Sequence, residues 1–209
     1  MKKILNYIKN NKKTLILLSI TISLFILLSY LIFSNRLNDI DTLTHTWILK
    51  IRNKNLNNIL QAYTNMGGAT FLIILSIILL IFIKKKKIPL YILINLVFAF
   101  LTNEIAKNIF SRSRPIGINL VDETGLSYPS GHSMVSLAYY GFIAYLLYKR
   151  TTSKLIKTII WIILTILISI IGFSRIYLGV HYLTDVIGGF LLAIIYLTIY
   201  IKTIQLEKK

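Results

Sequence analysis

The sequence is poor in the residues that build many soluble active sites. It has no cysteine, three histidines, three prolines and seven acidic residues in a chain of 209. The absence of cysteine excludes disulfides and thiolate-bound metals. With so few carboxylates, a carboxylate-rich metal centre is difficult to assemble. The composition therefore disfavours a metalloprotein.

Apolar residues and positive charge dominate instead. The net charge is +17, 56% of the residues are hydrophobic, and the mean hydropathy is +0.71. In a soluble protein this charge would suggest nucleic-acid binding. Here the lysines and arginines cluster between apolar runs, where they orient helices in a membrane. We therefore predict a single integral membrane domain over residues 1–209 and no nucleic-acid partner.

Six apolar runs have the length of membrane-crossing helices. They cover residues 14–34, 63–83, 89–110, 132–148, 158–173 and 186–201. The first run is longer than the core of a signal peptide, which holds about 7–15 apolar residues. Apolar residues at helical spacing over 35–62 predict an amphipathic helix in the membrane interface. The predicted fold class is an all-α integral membrane bundle of six transmembrane helices, with this interfacial helix after the first span.

Six crossings place both termini on one side of the membrane. Sixteen of the 24 lysines and arginines fall on that side, which predicts cytoplasmic termini. Residues 111–131 and 174–185 then share the outer face. Among the eight outer cations, Lys107, Arg114 and Arg175 lie in or beside these segments. Taken singly, each is also typical of a side chain that reaches toward lipid headgroups.

Residues 174–185 read Ser-Arg-Ile-Tyr-Leu-Gly-Val-His-Tyr-Leu-Thr-Asp and hold the densest polar chemistry of the chain. His181 and Asp185 are four residues apart, so in a helix the carboxylate can accept a hydrogen bond from one imidazole nitrogen. The other nitrogen is then free as a base or nucleophile. Arg175 adds a charge that can bind phosphate or carboxylate. Alone, the pair favours a structural contact or a helix-end cap, so a catalytic interpretation depends on other motifs.

Three segments on the predicted outer face form one pattern. They are Lys107 followed seven residues later by Arg114-Pro115, Pro-Ser-Gly-His at 129–132, and Ser174-Arg175 followed by His181 and Asp185. Together they resemble the three-part signature of the type-2 phosphatidic acid phosphatase superfamily, which comprises membrane lipid phosphatases related to vanadium haloperoxidases. The resemblance covers roughly residues 60–205.

This resemblance implies a phosphate site. Lys107, Arg114 and Arg175 match the family's cations, and three fixed charges suit a group that carries two or more negative charges. Ser130 and Gly131 stand where the fourth span begins, so their backbone amides and the helix dipole are expected to point at phosphate oxygens. Gly131 also permits close approach of the backbone. No metal or other cofactor is implied, because the cations neutralise the phosphate charge.

The resemblance also implies catalytic roles. His181 matches the nucleophile that attacks phosphorus to give a phosphohistidine, while Asp185 orients the ring and stabilises its developing charge. His132 matches the general acid that protonates the leaving oxygen and then activates water. In isolation, His132 and Ser130 are equally typical of the start of a helix.

The remaining polar residues carry weaker signals. Glu104 is one helical turn before Lys107, so it either orients that lysine or is simply exposed at the outer interface. His45 belongs to no motif and is interpreted as an interfacial residue without a catalytic part. Asp122 and Glu123 could repel acidic headgroups, although a solvated loop is the favoured interpretation.

The function implied by the resemblance is hydrolysis of a terminal phosphate from a membrane lipid, on the outer face of the plasma membrane. Undecaprenyl pyrophosphate is the leading substrate, with phosphatidylglycerol phosphate and phosphatidic acid as competitors, and this order rests on family analogy. Two alternatives stay open: a lipid phosphoryl or phosphoethanolamine transferase, and a small membrane transporter. The expected partners are the lipid substrate and the bilayer, and the oligomeric state is left open.

Overall fold

The computed structural model describes the backbone of residues 2–207 and the side chains of residues 11–205. Over that part of the chain the protein is all-helical, without a β-strand. The helices are α1 (Lys2–Phe33), α2 (Asn38–Ile51), α3 (Lys54–Asn65), α4 (Ala69–Phe82), α5 (Lys87–Phe110), α6 (Gly131–Arg150), α7 (Lys154–Tyr177) and α8 (Leu183–Glu207). The all-α prediction is confirmed.

Four helices are long and apolar enough to cross a membrane: α1, α5, α7 and α8. Helices α3 and α4 meet this condition only as a pair, and the pair is bent by 49°. The described residues thus contain four or five candidate spans, whereas the sequence predicted six. Helix α6, the counterpart of the predicted span at 132–148, is outside this group.

Helix α6 lies at the centre of the bundle. It packs against α5, α7 and α8, and half of its 20 residues are buried. Its polar side chains find partners within the protein. The hydroxyls of Tyr139 and Ser76 are 3.0 Å apart, and Tyr140 donates to the carbonyl of Met66 at 2.7 Å. Because other helices surround α6, it does not need the apolar surface of a lipid-facing span.

The segment between the first two predicted spans differs from expectation. In place of one amphipathic helix over 35–62, the structure has α2 and α3, separated at Arg52 and Asn53. Asn53 starts the new helix, because its side chain accepts a hydrogen bond from the amide of Leu56 at 3.0 Å. The predicted span at 63–83 is likewise interrupted at residues 66–68, which include two consecutive glycines.

At one end of the bundle, backbone hydrogen bonds join segments that are far apart in sequence. The amide of Leu120, in the long α5–α6 connection, donates to the carbonyl of Leu178 at 2.8 Å. The amide of Ser130, just before α6, donates to the carbonyl of Asp185 in α8 at 3.0 Å. The α5–α6 connection, the start of α6 and the α7–α8 turn therefore form one unit.

Helix α8 approaches the start of α6 closely at Gly189. A Cβ atom there would lie 2.6 Å from the carbonyl oxygen of Ser130, and this backbone atom has no freedom to rotate away. Glycine is thus required by contact with a neighbouring segment.

We expect Gly189→Ala to lower the melting temperature in detergent, because the backbone at the start of α6 must move. The free energy of unfolding should fall by about 1–3 kcal/mol. Gly141→Ala is the matched control, since its Cβ would meet only the flexible ends of side chains, Leu197 at 2.9 Å and Leu137 at 3.7 Å. Equal melting temperatures for the two variants would contradict this account.

Candidate active site

A cavity of about 360 Å³ lies beside the start of α6. Its polar wall includes Lys107, Arg114, Glu123, Gly131, His132 and His181. These residues come from α5, the α5–α6 connection, α6 and the α7–α8 turn. The structure therefore brings both motif histidines and two of the three motif cations to one space.

His181 lies in the α7–α8 turn and is only 1% exposed. Its Nε2 lies 3.2 Å from Nη1 of Arg114, and since a guanidinium only donates, Nε2 is the acceptor. Its Nδ1 lies 3.3 Å from the hydroxyl of Ser127 and 3.5 Å from Oδ2 of Asp185. We assign the ring proton to Nδ1, which leaves the lone pair on Nε2.

The sequence offered the pairing of His181 with Asp185 on the condition of a shared helix, and the two side chains approach each other without one. Helix α8 begins at Leu183, so only Asp185 is helical. Its carboxylate is fully buried and turns back toward the preceding residues, where Oδ2 accepts hydrogen bonds from the Ser127 hydroxyl at 2.5 Å and the Tyr182 amide at 2.8 Å. The approach of carboxylate and imidazole thus comes from a tight turn.

Lys107 and Arg114 are held in the cavity wall by different means. Nζ of Lys107 lies 3.6 Å from Oε1 of Glu104, which confirms the pairing that the sequence offered as one of two alternatives. Arg114 donates to the backbone carbonyls of Thr124 and Val180, both at 3.0 Å. These contacts fix the positions of two positive charges.

Arg175 lies behind the cavity wall. It is in the last turn of α7, is 1% exposed, donates to the Thr64 hydroxyl at 2.7 Å and forms an ion pair with Glu123. Glu123 also lies 3.8 Å from Arg114. Burial opposes the charge of Glu123, but the two arginines lower its pKa below the ordinary value. The interpretation of Glu123 as part of a solvated loop is wrong, because its carboxylate bridges two of the predicted phosphate-binding cations.

The start of α6 offers fewer amide donors than the sequence suggested. The Ser130 amide is bonded to the carbonyl of Asp185, and Ser130 is fully buried, so its amide is not available to a phosphate. Gly131 and His132 line the cavity. Their amides precede the first helical hydrogen bond, which Met134 donates to Ser130. The expected amide contact of Ser130 is therefore wrong, while Gly131 borders the cavity.

Four side chains that the sequence left outside the site lie beside the His181 turn: Asp41, His45, Arg112 and Ser127. His45 is only 8% exposed, and its Nε2 lies 3.2 Å from the carbonyl oxygen of His181. His45 therefore packs against the turn that carries His181, a contact that the sequence did not predict. A signal for Arg112 was present, since it stands two residues before Arg114 in the first motif.

Burial lowers the pKa of His181 to about 4, and the nearby Asp185 carboxylate offsets this effect only in part. The ring is therefore neutral at neutral pH, with its Nε2 lone pair available. Such a ring can attack an electrophilic centre in an anion that is bound by the charges of Lys107 and Arg114. The second imidazole of the cavity, His132, can exchange a proton with that anion.

The sequence comparisons agree with this site. The family model of the PAP2 superfamily matches residues 88–209. The chain belongs to the PAP2 superfamily. The matched region includes all eight residues of the predicted site. The family match and the cavity therefore lie in the same part of the chain.

Two relatives and two solved structures extend the match. The chain is 35% identical over 176 residues to phosphatidylglycerophosphatase B of Bacillus subtilis, covering 82% of this chain and 86% of the relative. It is 32% identical over 164 residues to undecaprenyl-diphosphatase of Sulfolobus acidocaldarius, covering 74% of each. The crystal structure of a transmembrane PAP2 type phosphatidylglycerolphosphate phosphatase from Bacillus subtilis superposes with a TM-score of 0.83 at 30% identity, covering 92% of this chain and 97% of that one. LpxE of Aquifex aeolicus gives 0.61 at 27% identity, with 76% and 92% covered.

These PAP2 relatives and the apolar helices together show a multi-pass membrane protein.

The neutrality of His181 can be measured directly, because the chain has only three histidines. In protein labelled with ¹⁵N-histidine, the ring signals that disappear in His181→Gln should keep the shifts of a neutral imidazole until the pH falls to about 4. A midpoint near the ordinary histidine value of about 6.5 would contradict the proposed burial effect.

The internal pairing of Glu123 predicts a second result. Glu123→Gln removes the anion that competes for Arg175 and Arg114, so we expect a lower melting temperature and roughly tenfold tighter binding of orthovanadate. Calorimetric titration checks the affinity, and Asp122→Asn is the control, since it changes a neighbouring loop carboxylate. Weaker orthovanadate binding in Glu123→Gln than in Asp122→Asn would contradict this interpretation.

Proposed function

We propose that this protein is a lipid phosphatase that removes a terminal phosphate from a membrane lipid through a phosphohistidine on His181. One observation carries the proposal: the cavity that contains His132 and His181 continues as an apolar groove. The apolar part is formed by Ile73, Leu93, Leu96, Val97, Phe100 and Leu101. A site with charged and apolar halves suits an amphiphilic phosphate ester.

The groove is long enough for part of a lipid tail. Its apolar lining on α5 extends from Leu93 to Leu101, and 8 residues of α-helix correspond to about 12 Å. The phosphate would bind beside Lys107, while the tail follows α4 and α5 into the bilayer. A soluble phosphate ester would leave this apolar surface uncovered.

In the first step, Nε2 of His181 attacks phosphorus and the bond from phosphorus to the lipid oxygen breaks. His132 enters this step protonated beside the anionic phosphate and gives that proton to the leaving oxygen, so the lipid departs as an alcohol or as a monophosphate. Arg114, which donates to Nε2 in the structure, would turn to the phosphoryl oxygens as the substrate enters. Asp185 stabilises the positive charge that develops on the ring.

In the second step, His132 accepts a proton from water, and the water oxygen attacks the phosphohistidine. The bond between phosphorus and nitrogen breaks, which releases inorganic phosphate and restores neutral His181. Lys107 and Arg114 would stabilise the equatorial oxygens of the phosphoryl group in both steps. Arg175 would contact the same oxygens once its ion pair with Glu123 is broken. These charges suffice in the proposal without a metal.

The proposed substrates are lipids with a terminal phosphate. Phosphatidylglycerol phosphate and undecaprenyl pyrophosphate lead, because they correspond to the names of the two relatives. Phosphatidic acid shares the same chemistry and belongs in the same test.

We also propose one domain over 1–209 with six crossings: α1, the bent α3–α4 pair, α5, α6, α7 and α8. The 20 residues of α6 correspond to about 30 Å, the thickness of the hydrocarbon core. Cytoplasmic termini follow from the positive charge at both ends of the sequence, although the side chains of residues 1–10 and 206–209 lie outside those described. The cavity would then open on the outer face, and α2 would lie near that interface.

The direct test measures release of inorganic phosphate from the three lipids in detergent, with no acceptor other than water. His181→Ala and His132→Ala should each reduce kcat by at least about 10³-fold, since one removes the nucleophile and the other the proton donor. Tyr63→Phe, a conservative change at an exposed position outside the cavity lining, is the control.

If no inorganic phosphate is released and the phosphoryl group is found instead on an added acceptor alcohol, the protein is a transferase. Unchanged turnover in His181→Ala would overturn the mechanism.

The charge arrangement generates a further prediction about inhibitors. Orthovanadate should inhibit the enzyme, because its vanadium can adopt the five-coordinate geometry that phosphorus has in the transition state. EDTA should not inhibit, because Lys107 and Arg114 provide the positive charge that stabilises the phosphoryl group. Steady-state rates with each compound check this. Loss of activity in EDTA and its recovery with Mg²⁺ would contradict the metal-independent mechanism.

A further inference from the structure

Arg112 connects two buried carboxylates beside His181, those of Asp41 and Asp185. Nη1 donates to Oδ1 of Asp185 at 2.7 Å and to the Thr184 hydroxyl at 2.8 Å, while Nη2 donates to Oδ2 of Asp41 at 2.8 Å. The guanidinium also lies 4.2 Å from the centre of the Tyr182 ring. Both terminal nitrogens of Arg112 thus donate to side chains of the protein, and Arg112 does not line the catalytic cavity.

Helix α2 supplies the other half of this arrangement. Asp41 is 1% exposed and accepts hydrogen bonds from both the amide and the hydroxyl of Thr184, at 3.1 and 2.7 Å. One turn further along α2, His45 contacts the carbonyl of His181 at 3.2 Å. Two side chains on one face of α2 therefore hold the turn that carries His181.

The two oxygens of the Asp185 carboxylate have different partners. Oδ1 is directed to Arg112, and Oδ2 is directed to Ser127, to the Tyr182 amide and to the His181 ring. A buried carboxylate that lost its cation could rotate, and Oδ2 would then no longer be held opposite Nδ1 of His181. The orientation of the nucleophile depends on that contact.

We propose that Arg112 and Asp41 are positioning residues for catalysis, which act through Asp185 and never touch the substrate. Asp41 fixes Arg112, Arg112 fixes the Asp185 carboxylate, and the carboxylate fixes the tautomer and orientation of His181. The inference rests on the proposed phosphatase function. It gives α2 a part in the site that lies outside the three sequence motifs.

The test uses the full-length protein in detergent with the lipid phosphate that it hydrolyses fastest. Arg112→Gln and Asp41→Asn should each lower kcat by roughly 10- to 100-fold, because the nucleophile is misoriented, while KM changes less than about twofold. Arg112→Lys keeps the positive charge but lacks the two guanidinium nitrogens that bind Asp185 and Asp41. Its kcat should therefore lie between those of Arg112→Gln and the wild type. In ¹⁵N-histidine-labelled protein, the His181 ring signals should shift in Arg112→Gln and Asp41→Asn.

Arg52→Gln is the matched control. Arg52 is a second forked guanidinium that connects the end of α2 to α7, where it donates twice to the carbonyl of Tyr177 at 3.1 and 2.7 Å, and it does not contact Asp185. This variant should lose stability while kcat stays within about twofold and the His181 signals do not move. Asp41→Asn keeps the size of the side chain. If Arg112→Gln does not fold, Asp41→Asn is compared with Arg52→Gln in its place.

The outcomes separate the two proposals. If the wild type is active and Asp41→Asn and Arg112→Gln lower only the melting temperature, with kcat and the His181 signals unchanged, the positioning role is overturned. A rise in KM alone overturns it as well, since that result indicates substrate contact. If the wild type releases phosphate from no lipid, the proposed function itself fails, and the inference falls with it.

Discussion

The buried carboxylate of Asp185 is the constraint to which the rest of the site is adjusted. An uncompensated charge inside a bundle of apolar helices is costly, and removing one partner of such a buried pair typically costs about 3–5 kcal/mol. Arg112 provides the compensating charge at 2.7 Å, and Asp41 then balances Arg112 at 2.8 Å. Through this chain of charges, α2 and the α5–α6 connection are both bound to the first turn of α8.

A second pair of opposite charges governs the cavity. Arg175 is almost fully buried and would be unpaired without Glu123, which also approaches Arg114. The carboxylate thus occupies the position where a phosphate would neutralise the same arginines. One carboxylate therefore offsets part of the charge of two arginines, and in the proposed mechanism its exchange for a phosphate would avoid leaving buried cations unpaired.

Much of this protein could be predicted because apolar run length and charge clustering are local properties of a sequence. The long helices α1, α5, α7 and α8 follow from run length alone. Helix α6 also matches its predicted run at 132–148, but its central place in the bundle depends on packing, as the contacts of Tyr139 with Ser76 and of Tyr140 with Met66 show. The bend between α3 and α4 also depends on packing, because Gly67 and Gly68 border the ring of His132. A search for apolar runs cannot distinguish such a bend from a continuous span.

The sequence by itself determined the family and the identity of the motif residues, because their spacing is a property of the chain. Only the tertiary structure decided which of them reach the cavity, since that depends on how helices pack. It placed Lys107, Arg114, His132 and His181 on the wall and Arg175 behind it. It also added Arg112, whose partners lie 71 and 73 residues away in the chain. Ion pairs over such separations form only when folding excludes water from both charges, and no local pattern records them.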